Sequence, residues 1–246
     1  MKKISALLFL VILLFCSCHK EEENISLTIK FTHNWNGVPV TNQDFNTFKF
    51  TTANGENISI ERLRYLISNI SLAEESANNH FLIDVGKNAE NLIPIKDVLS
   101  NNNKLTFTFG LTDSENIDGS YQDLNSVNFN VPGMLGGGYH YMQFDGKYKD
   151  TNNQDANFNY HVIRALDTSD PTNLKFEDTS FTVDLGIIEI KNNTTIEISM
   201  NIAEWFTNPN TWDLNVLNTV LMPNFEAQKQ MNANGKTVFR VGEINP

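Results

Sequence analysis

Histidines at three positions are the side chains of this chain best suited to bind a metal ion. His33 ends an alternating apolar segment, and His140 and His161 each lie in a strand-like segment next to tyrosine. Three imidazoles suit copper or zinc. His19 lies in a charged segment near the N-terminus and His80 follows two asparagines, so both are expected to be exposed. The sequence therefore predicts a metal site formed by His33, His140 and His161.

Residues 132–148, PGMLGGGYHYMQFDGKY, place His140 two residues after a run of glycines. Glycine frees the backbone from side-chain sterics, so a turn is expected before a strand. In a continuous strand alternate residues share a face, which predicts that His140 and Met142 point the same way. An imidazole and a thioether on one face suit copper. Met134 and Met142 are therefore interpreted either as sulfur ligands or as core residues.

The same histidines also fit a structural role. An unpaired polar group in the core costs about 1–3 kcal/mol, so a buried imidazole needs a partner. For His33, at the end of an inward-facing strand, that partner is a backbone carbonyl or a metal, and both stay open at this stage. The acidic segment 113–125 lacks the residue register of a calcium-binding loop and is interpreted as a solvated turn.

The N-terminus has the pattern of a bacterial lipoprotein signal. Two lysines precede an apolar run over residues 6–15, which is shorter than the about 20 residues of a membrane-spanning helix. The following FCSC places a small residue before a cysteine and resembles a lipobox. Residues 1–17 are predicted to be a signal peptide and Cys18 the lipidated residue, with Cys16 as the poorer alternative.

Residues 18–24 are predicted to form an acidic tether. A lysine followed by three glutamates, at residues 20–23, resembles the surface-export signal of Bacteroidota lipoproteins. The protein is therefore expected at the outer membrane, exposed on the cell surface and attached only through its lipid. Oligomeric state and protein partners are not indicated by the sequence.

Composition excludes several classes of function. The chain carries a net charge of −11, which disfavours binding to nucleic acid. Its cysteines, Cys16 and Cys18, both lie in the signal region, so the remaining chain has no disulfide, no thiolate metal site and no cysteine nucleophile. The hydrolase, zinc-protease and phosphate-loop motifs are absent, and the protein is predicted not to be an enzyme.

Hydrophobic alternation predicts a mostly β fold, a β-sandwich-like domain with short helices near the C-terminus, over residues 25–246. Short strands separated by turn signals continue as far as residue 202. Brief helical segments are expected at residues 59–65 and 94–99, and longer ones at 213–222 and 225–231. Prolines at 209 and 223 are expected to interrupt the C-terminal helices.

Six segments in order resemble the MbnP-like copper-binding family, in its Bacteroidota lipoprotein branch. They are ISIERLRYLISNISL (58–72), FTFGLTDSENIDG (107–119), PGMLGGGYHYMQFDG (132–146), NYHVI (159–163), NIAEWF (201–206) and NTVLMPN (218–224). The resemblance implies an extracytoplasmic, β-rich domain that binds copper through histidine nitrogens. The positions that match family histidines are His33, His140 and His161.

One position departs from the family pattern. In some members a tryptophan oxidised to kynurenine also binds copper, and relatives often carry tryptophan directly after the residue that matches Met134. Here that position is Leu135. Trp35, close to His33 in sequence, is interpreted as a packing residue.

The leading hypothesis is a lipoprotein that binds copper for scavenging, storage or transfer. The alternative is a cell-surface adhesion or glycan-binding module with structural histidines, and a more remote one is a redox enzyme. An exposed aromatic platform would favour glycan binding, whereas converging imidazoles would favour metal.

Overall fold

The computed structural model describes residues 24–72, 75–87, 91–99, 102–170 and 173–245. The predicted signal peptide, the predicted lipidation site Cys18 and the tether up to residue 23 lie outside this part of the chain. Within it, the structure contains no helix with the length and apolar character needed to span a membrane.

The domain consists of two mainly antiparallel sheets and a small two-stranded antiparallel ribbon. Their strands are β1 (Asn24–Trp35), β2 (Val38–Pro39), β3 (Phe48–Thr51), β4 (Asn57–Leu72), β5 (Glu75–Asp84), β6 (Leu92–Leu99), β7 (Asn102–Phe109), β8 (Met142–Lys149), β9 (Asp155–Val162), β10 (Ala165–Asp167), β11 (Lys175–Glu177), β12 (Phe181–Glu189), β13 (Thr195–Asn201) and β14 (Phe239–Asn245). Two α-helices, α1 (Gln122–Ser126) and α2 (Phe225–Gly235), complete the order together with short 3-10 turns at Asn42–Asp44, Gly133–Leu135 and Ile202–Phe206.

The first sheet is centred on β1, which pairs in parallel with β13 and antiparallel with β6 and β2, while β14 extends it beyond β13. The second sheet has the order β12-β7-β4-β8-β9, and β3 and β5 also pair with β4. Register shifts along the 16-residue β4 let it pair with several partners in succession. The mostly β, sandwich-like fold predicted from the sequence is confirmed.

Three of the four predicted helical segments are wrong. Residues 59–65 lie in β4 and residues 94–99 in β6, because each supplies apolar side chains at strand spacing to a sheet. Residues 213–222 contain no helix and run as irregular chain with isolated turns. The fourth segment begins α2, which starts at Asn224 as N-cap, with its side chain accepting from the backbone nitrogen of Ala227, and extends to Gly235.

The space between the two sheets is filled by aromatic rings. Phe31 of β1 meets Phe107 of β7 edge-to-face at 5.8 Å, and Phe239 of β14 packs against both. Trp35 is buried and stacks on Phe50 at 5.2 Å, as expected of a packing residue. Ring pairs of this kind add to the hydrophobic burial and fix the spacing of the sheets.

The outer face of the second sheet is polar at β8 and β9. Phe144 and Tyr160 lie in the core between the sheets. Because side chains alternate along a strand, Gln143, Asp145 and His161 point away from that core. The irregular chain between β7 and β8 folds over part of this outer face.

Candidate metal centre

His140 and His161 form a pair on the outer face of the second sheet. Their ring centroids are 5.1 Å apart and the ring planes are nearly perpendicular, at 86°. His161 lies on β9 directly across from Gln143 of β8, and His140 lies two residues before β8 begins. The predicted proximity of these two histidines is therefore present in the structure.

The backbone carbonyl of Phe129 orients the His140 ring. This oxygen accepts from the His140 backbone nitrogen at 2.9 Å and lies 3.0 Å from Nδ1 of the ring. Nδ1 also lies 3.3 Å from the side-chain nitrogen of Gln143, but its shorter contact is with a carbonyl oxygen, which only accepts hydrogen bonds, so Nδ1 carries the proton and Nε2 carries the lone pair. Nε2 is buried and has no hydrogen-bond partner within the described ranges of the chain. It is a nitrogen donor atom that is inaccessible to solvent.

His140 is held in the neutral form. Burial lowers its pKa from 6.5 to about 4, and the electrostatic interactions with His161, Arg64 and Arg62 act in the same direction. A neutral imidazole is the form that binds a metal. The site therefore needs no deprotonation of His140 at neutral pH.

The glycine run places His140 differently from the sequence prediction. Gly137 and Gly138 have φ of +66° and +81°, and a Cβ on either would collide with Asp118 or Asn116. The turn ends only at Met142, where β8 starts, so strand alternation does not yet apply at His140. Its Nδ1 lies 3.3 Å from the side-chain amide of Gln143. The predicted common face for His140 and Met142 is therefore wrong.

Asp145 orients the His161 ring. Its Oδ1 lies 2.7 Å from Nε2 of His161 and accepts from the side-chain amide of Asn159 at 2.6 Å, while its Oδ2 accepts from Nε of Arg62 at 2.5 Å. Burial alone would raise the pKa of Asp145, but the hydrogen bonds from these three partners hold it well below its ordinary value. The ionised carboxylate is the acceptor, so the His161 ring donates through Nε2.

His33 is not brought to this pair. It follows Phe31 on the inward face of β1, and its Nε2 lies 2.9 Å from the hydroxyl of Tyr65. Burial lowers the pKa of His33 to about 3. Among the residues that the structure describes, no cluster of three or more histidine, cysteine, aspartate or glutamate side chains could hold a metal. Two of the three predicted ligands are therefore assembled, and the third has a structural partner.

The remaining side chains considered from the sequence lie elsewhere. Met142 is fully buried in the core, whereas Met134 is 85% exposed at the 3-10 turn before the glycines. His80 is half-buried, lies 2.7 Å from a carboxylate oxygen of Asp123 and packs on Tyr121. His19 lies outside the described residues.

A profile of the MbnP family matches residues 24–223. The chain belongs to the MbnP family. The match covers the second sheet, the first sheet except β14, and the histidine pair.

A solved structure supports the fold of this MbnP-family chain. MbnP from Methylosinus trichosporium superposes with a TM-score of 0.54 over 89% of this chain and 99% of that protein. Sequence identity is 12%, so this likeness concerns the fold alone. A comparison with curated protein sequences gave no match.

The histidine pair fits copper, the metal implied for an MbnP-family chain by the sequence resemblance. The fit rests on Nε2 of His140, a buried nitrogen that forms no hydrogen bond with the part of the chain that the structure describes. Imidazole nitrogen is a ligand type that copper accepts. The Phe129 carbonyl and the Asp145 carboxylate orient the two rings in the manner usual for metal-binding histidines.

Sequence reasoning missed Asp145, Arg62 and the Phe129 carbonyl. A signal for the first was present: Asp145 and Gln143 are two apart on β8, as Asn159 and His161 are on β9, which predicts one polar face shared by adjacent strands. The Phe129 contact could not be read from sequence, because it depends on the path of an irregular segment.

Proposed function

We propose that this protein binds copper through His140 and His161 and serves in scavenging, storage or transfer of the metal. The observation that carries the proposal is the buried Nε2 of His140, which has no hydrogen-bond partner among the described residues, in a ring whose centroid lies 5.1 Å from that of His161. An unsatisfied buried polar atom is unfavourable, and a bound metal would satisfy it. Membership of the MbnP family supports copper as that metal.

The proposal includes the cellular setting. The apolar run, the FCSC sequence and the acidic tether support lipidation at Cys18 and attachment to the outer membrane, exposed on the cell surface. We also propose a binding role rather than a catalytic one, since the sequence carries no hydrolase or phosphate-loop motif.

The adhesion alternative has less support. All three tryptophans are buried. Among the large hydrophobic side chains that are exposed in the described part of the chain, Phe176 is the only aromatic one. Glycan-binding surfaces of the type considered from the sequence need several exposed rings, and a single phenylalanine does not form such a platform.

Metal analysis of the protein purified without a histidine tag tests the proposal. After loading with copper and removal of excess metal, we expect bound copper in the wild type and its loss in His140→Ala and His161→Ala. His80→Ala is the matched control and should retain copper, because this histidine contacts Asp123 and Tyr121 instead. Copper retained equally in all three variants would contradict the proposal.

A further inference from the structure

Resting on the proposed copper site, we propose that Asp145 is a positioning residue that leaves Nδ1 of His161 as the metal-donor atom. The Phe129 carbonyl orients His140 in the same way, because it accepts from Nδ1 and leaves Nε2 as the metal-donor atom of that ring. The site would then use opposite nitrogens of its two rings, fixed before any metal arrives.

The occupancy of Asp145 argues against a role as a ligand. One oxygen accepts hydrogen bonds from His161 and Asn159, and the other accepts a hydrogen bond from Arg62, so both carboxylate oxygens are occupied by donors. Its side chain is 11% exposed, as is fitting for a group enclosed by its partners. A metal could reach Asp145 only by displacing one of these charge-assisted contacts.

The protonation of the His161 ring follows from the same contacts. Both oxygens of Asp145 already accept hydrogen bonds, one from Asn159 and the other from Arg62, so the carboxylate is the acceptor and the proton in the 2.7 Å contact belongs to Nε2. A neutral imidazole has a single ring proton, which leaves the lone pair on Nδ1. Among the described residues, Nδ1 of His161 has no hydrogen-bond partner, so the lone pair is available.

Replacing Asp145 by asparagine should disturb this arrangement without removing side-chain volume. The amide offers one acceptor oxygen where the carboxylate offers two, and three donors must then compete for it. Arg62 cannot become an acceptor. The His161 ring can move its proton to Nδ1 and accept through Nε2, which removes the lone pair from the proposed donor atom.

Nuclear magnetic resonance of the histidine rings in the metal-free protein at pH 8 tests the assignment directly. We expect wild-type His161 to carry its proton on Nε2 and His140 to carry its proton on Nδ1. In Asp145→Asn we expect the Nε2-protonated population of His161 to fall. Wild-type His161 protonated on Nδ1 would overturn the proposal, whatever the protein does with copper.

Copper(I) affinity, measured by competition with a chromogenic chelator, supplies the second readout. Loss of a group that orients a metal-binding histidine typically weakens binding 10–100-fold, and we expect that range for Asp145→Asn. Asp155→Asn is the control: it removes one carboxylate from the start of β9, where the partner is Lys149, and should leave affinity unchanged.

The outcomes separate this inference from the proposed function. Weaker binding without a change in His161 protonation, or changed protonation without weaker binding, would overturn the positioning role of Asp145. A wild type with the expected protonation that takes up no copper would overturn the proposed function and leave the ring assignment standing. Should Asp145→Asn fail to fold, the wild-type ring measurement alone still decides the assignment.

Discussion

The hydroxyl of Tyr65 lies 2.9 Å from Nε2 of His33, and both side chains are buried between the two sheets. Tyr65 also packs on Phe109 and meets Phe31 edge-to-face. The contact links β1 of one sheet to β4 of the other. His33 thus takes part in holding the sandwich closed.

Replacement of His33 by alanine should therefore destabilise the metal-free protein and spare copper binding. Loss of the ring leaves a cavity and an unpaired Tyr65 hydroxyl, and together these cost about 2–4 kcal/mol. Urea unfolding followed by circular dichroism measures the change. His140→Ala is the comparison, with the opposite expectation for copper. Copper lost in His33→Ala while the stability is unchanged would show that His33 is a ligand.

Acid should weaken the fold through His33 and His140. Burial holds their folded-state pKa values at about 3 and about 4, below the ordinary 6.5. Above pH 6.5 both are neutral in the folded and unfolded states, so this contribution is fully present. Below pH 6.5 only the unfolded chain gains these protons, and stability falls by up to about 1.4 kcal/mol per pH unit for each histidine until about pH 4.

Urea midpoints of the metal-free protein between pH 7.5 and pH 4.5 measure that slope. A His33→Gln variant cannot take up the proton and should show a shallower fall than the wild type over this range. His80→Gln, at a half-buried position near Asp123, serves as the control. Equal slopes in wild type and His33→Gln would contradict the assignment of a buried neutral His33.

Gly138 should tolerate alanine poorly. Its φ of +81° strains any other residue, and a Cβ would lie 2.5 Å from the side-chain oxygen of Asn116, which accepts from the backbone of Tyr139. Gly37 has a similar φ of +87° with open space around it. We expect Gly37→Ala to cost about 1 kcal/mol from strain alone and Gly138→Ala to cost clearly more.

Melting temperatures of the two alanine variants test this difference. Because the strain is common to both, an excess loss in Gly138→Ala reports the collision with Asn116. Since Asn116 helps to place the residue before His140, copper affinity should fall in Gly138→Ala and not in Gly37→Ala. Equal melting temperatures would contradict the described packing of the glycine turn.

Glu56 should be important for the irregular chain before α2. Its buried carboxylate accepts from the backbone nitrogen of Leu214 at 3.1 Å and from the side chains of Asn54, Thr52 and Asn215. Glutamine has one acceptor oxygen and brings two donors, so Glu56→Gln should cost about 1–3 kcal/mol. Limited proteolysis should cut residues 207–222 faster in that variant. The exposed Glu61→Gln, next to Lys147, is the control, and equal cleavage would contradict this role.

Much of the fold was readable from the sequence, but the helical predictions show where local patterns fail. The run from Ile58 to Leu72 mixes charged and apolar residues in a way that also fits a helical turn. It forms a strand because it pairs with β5, β7 and β8. Such long-range pairing has no signal in a short window of residues.

Only part of the metal site could be predicted from the sequence, because the rest also depends on contacts between distant segments. His161 and Gln143 could be placed by strand period once β8 and β9 were paired. Alternation along β1 predicts which face of that strand carries His33. It does not predict how the two sheets pack, so the sequence alone could not show that His33 lies away from His140 and His161. The ring orientations depend on the irregular Phe129 segment and on a carboxylate from the neighbouring strand.

The parallel pairing of β1 with β13 has a consequence for how the chain reaches its fold. Thr28 pairs with Thr195, so one edge of β1 stays open until nearly all of the chain is available, although β6 covers the other edge much earlier. Contacts this distant in sequence slow folding, because a long loop must close before they form. During that interval the open edge of β1 can pair with another chain. We therefore expect this protein to fold best under conditions that keep newly synthesised chains apart.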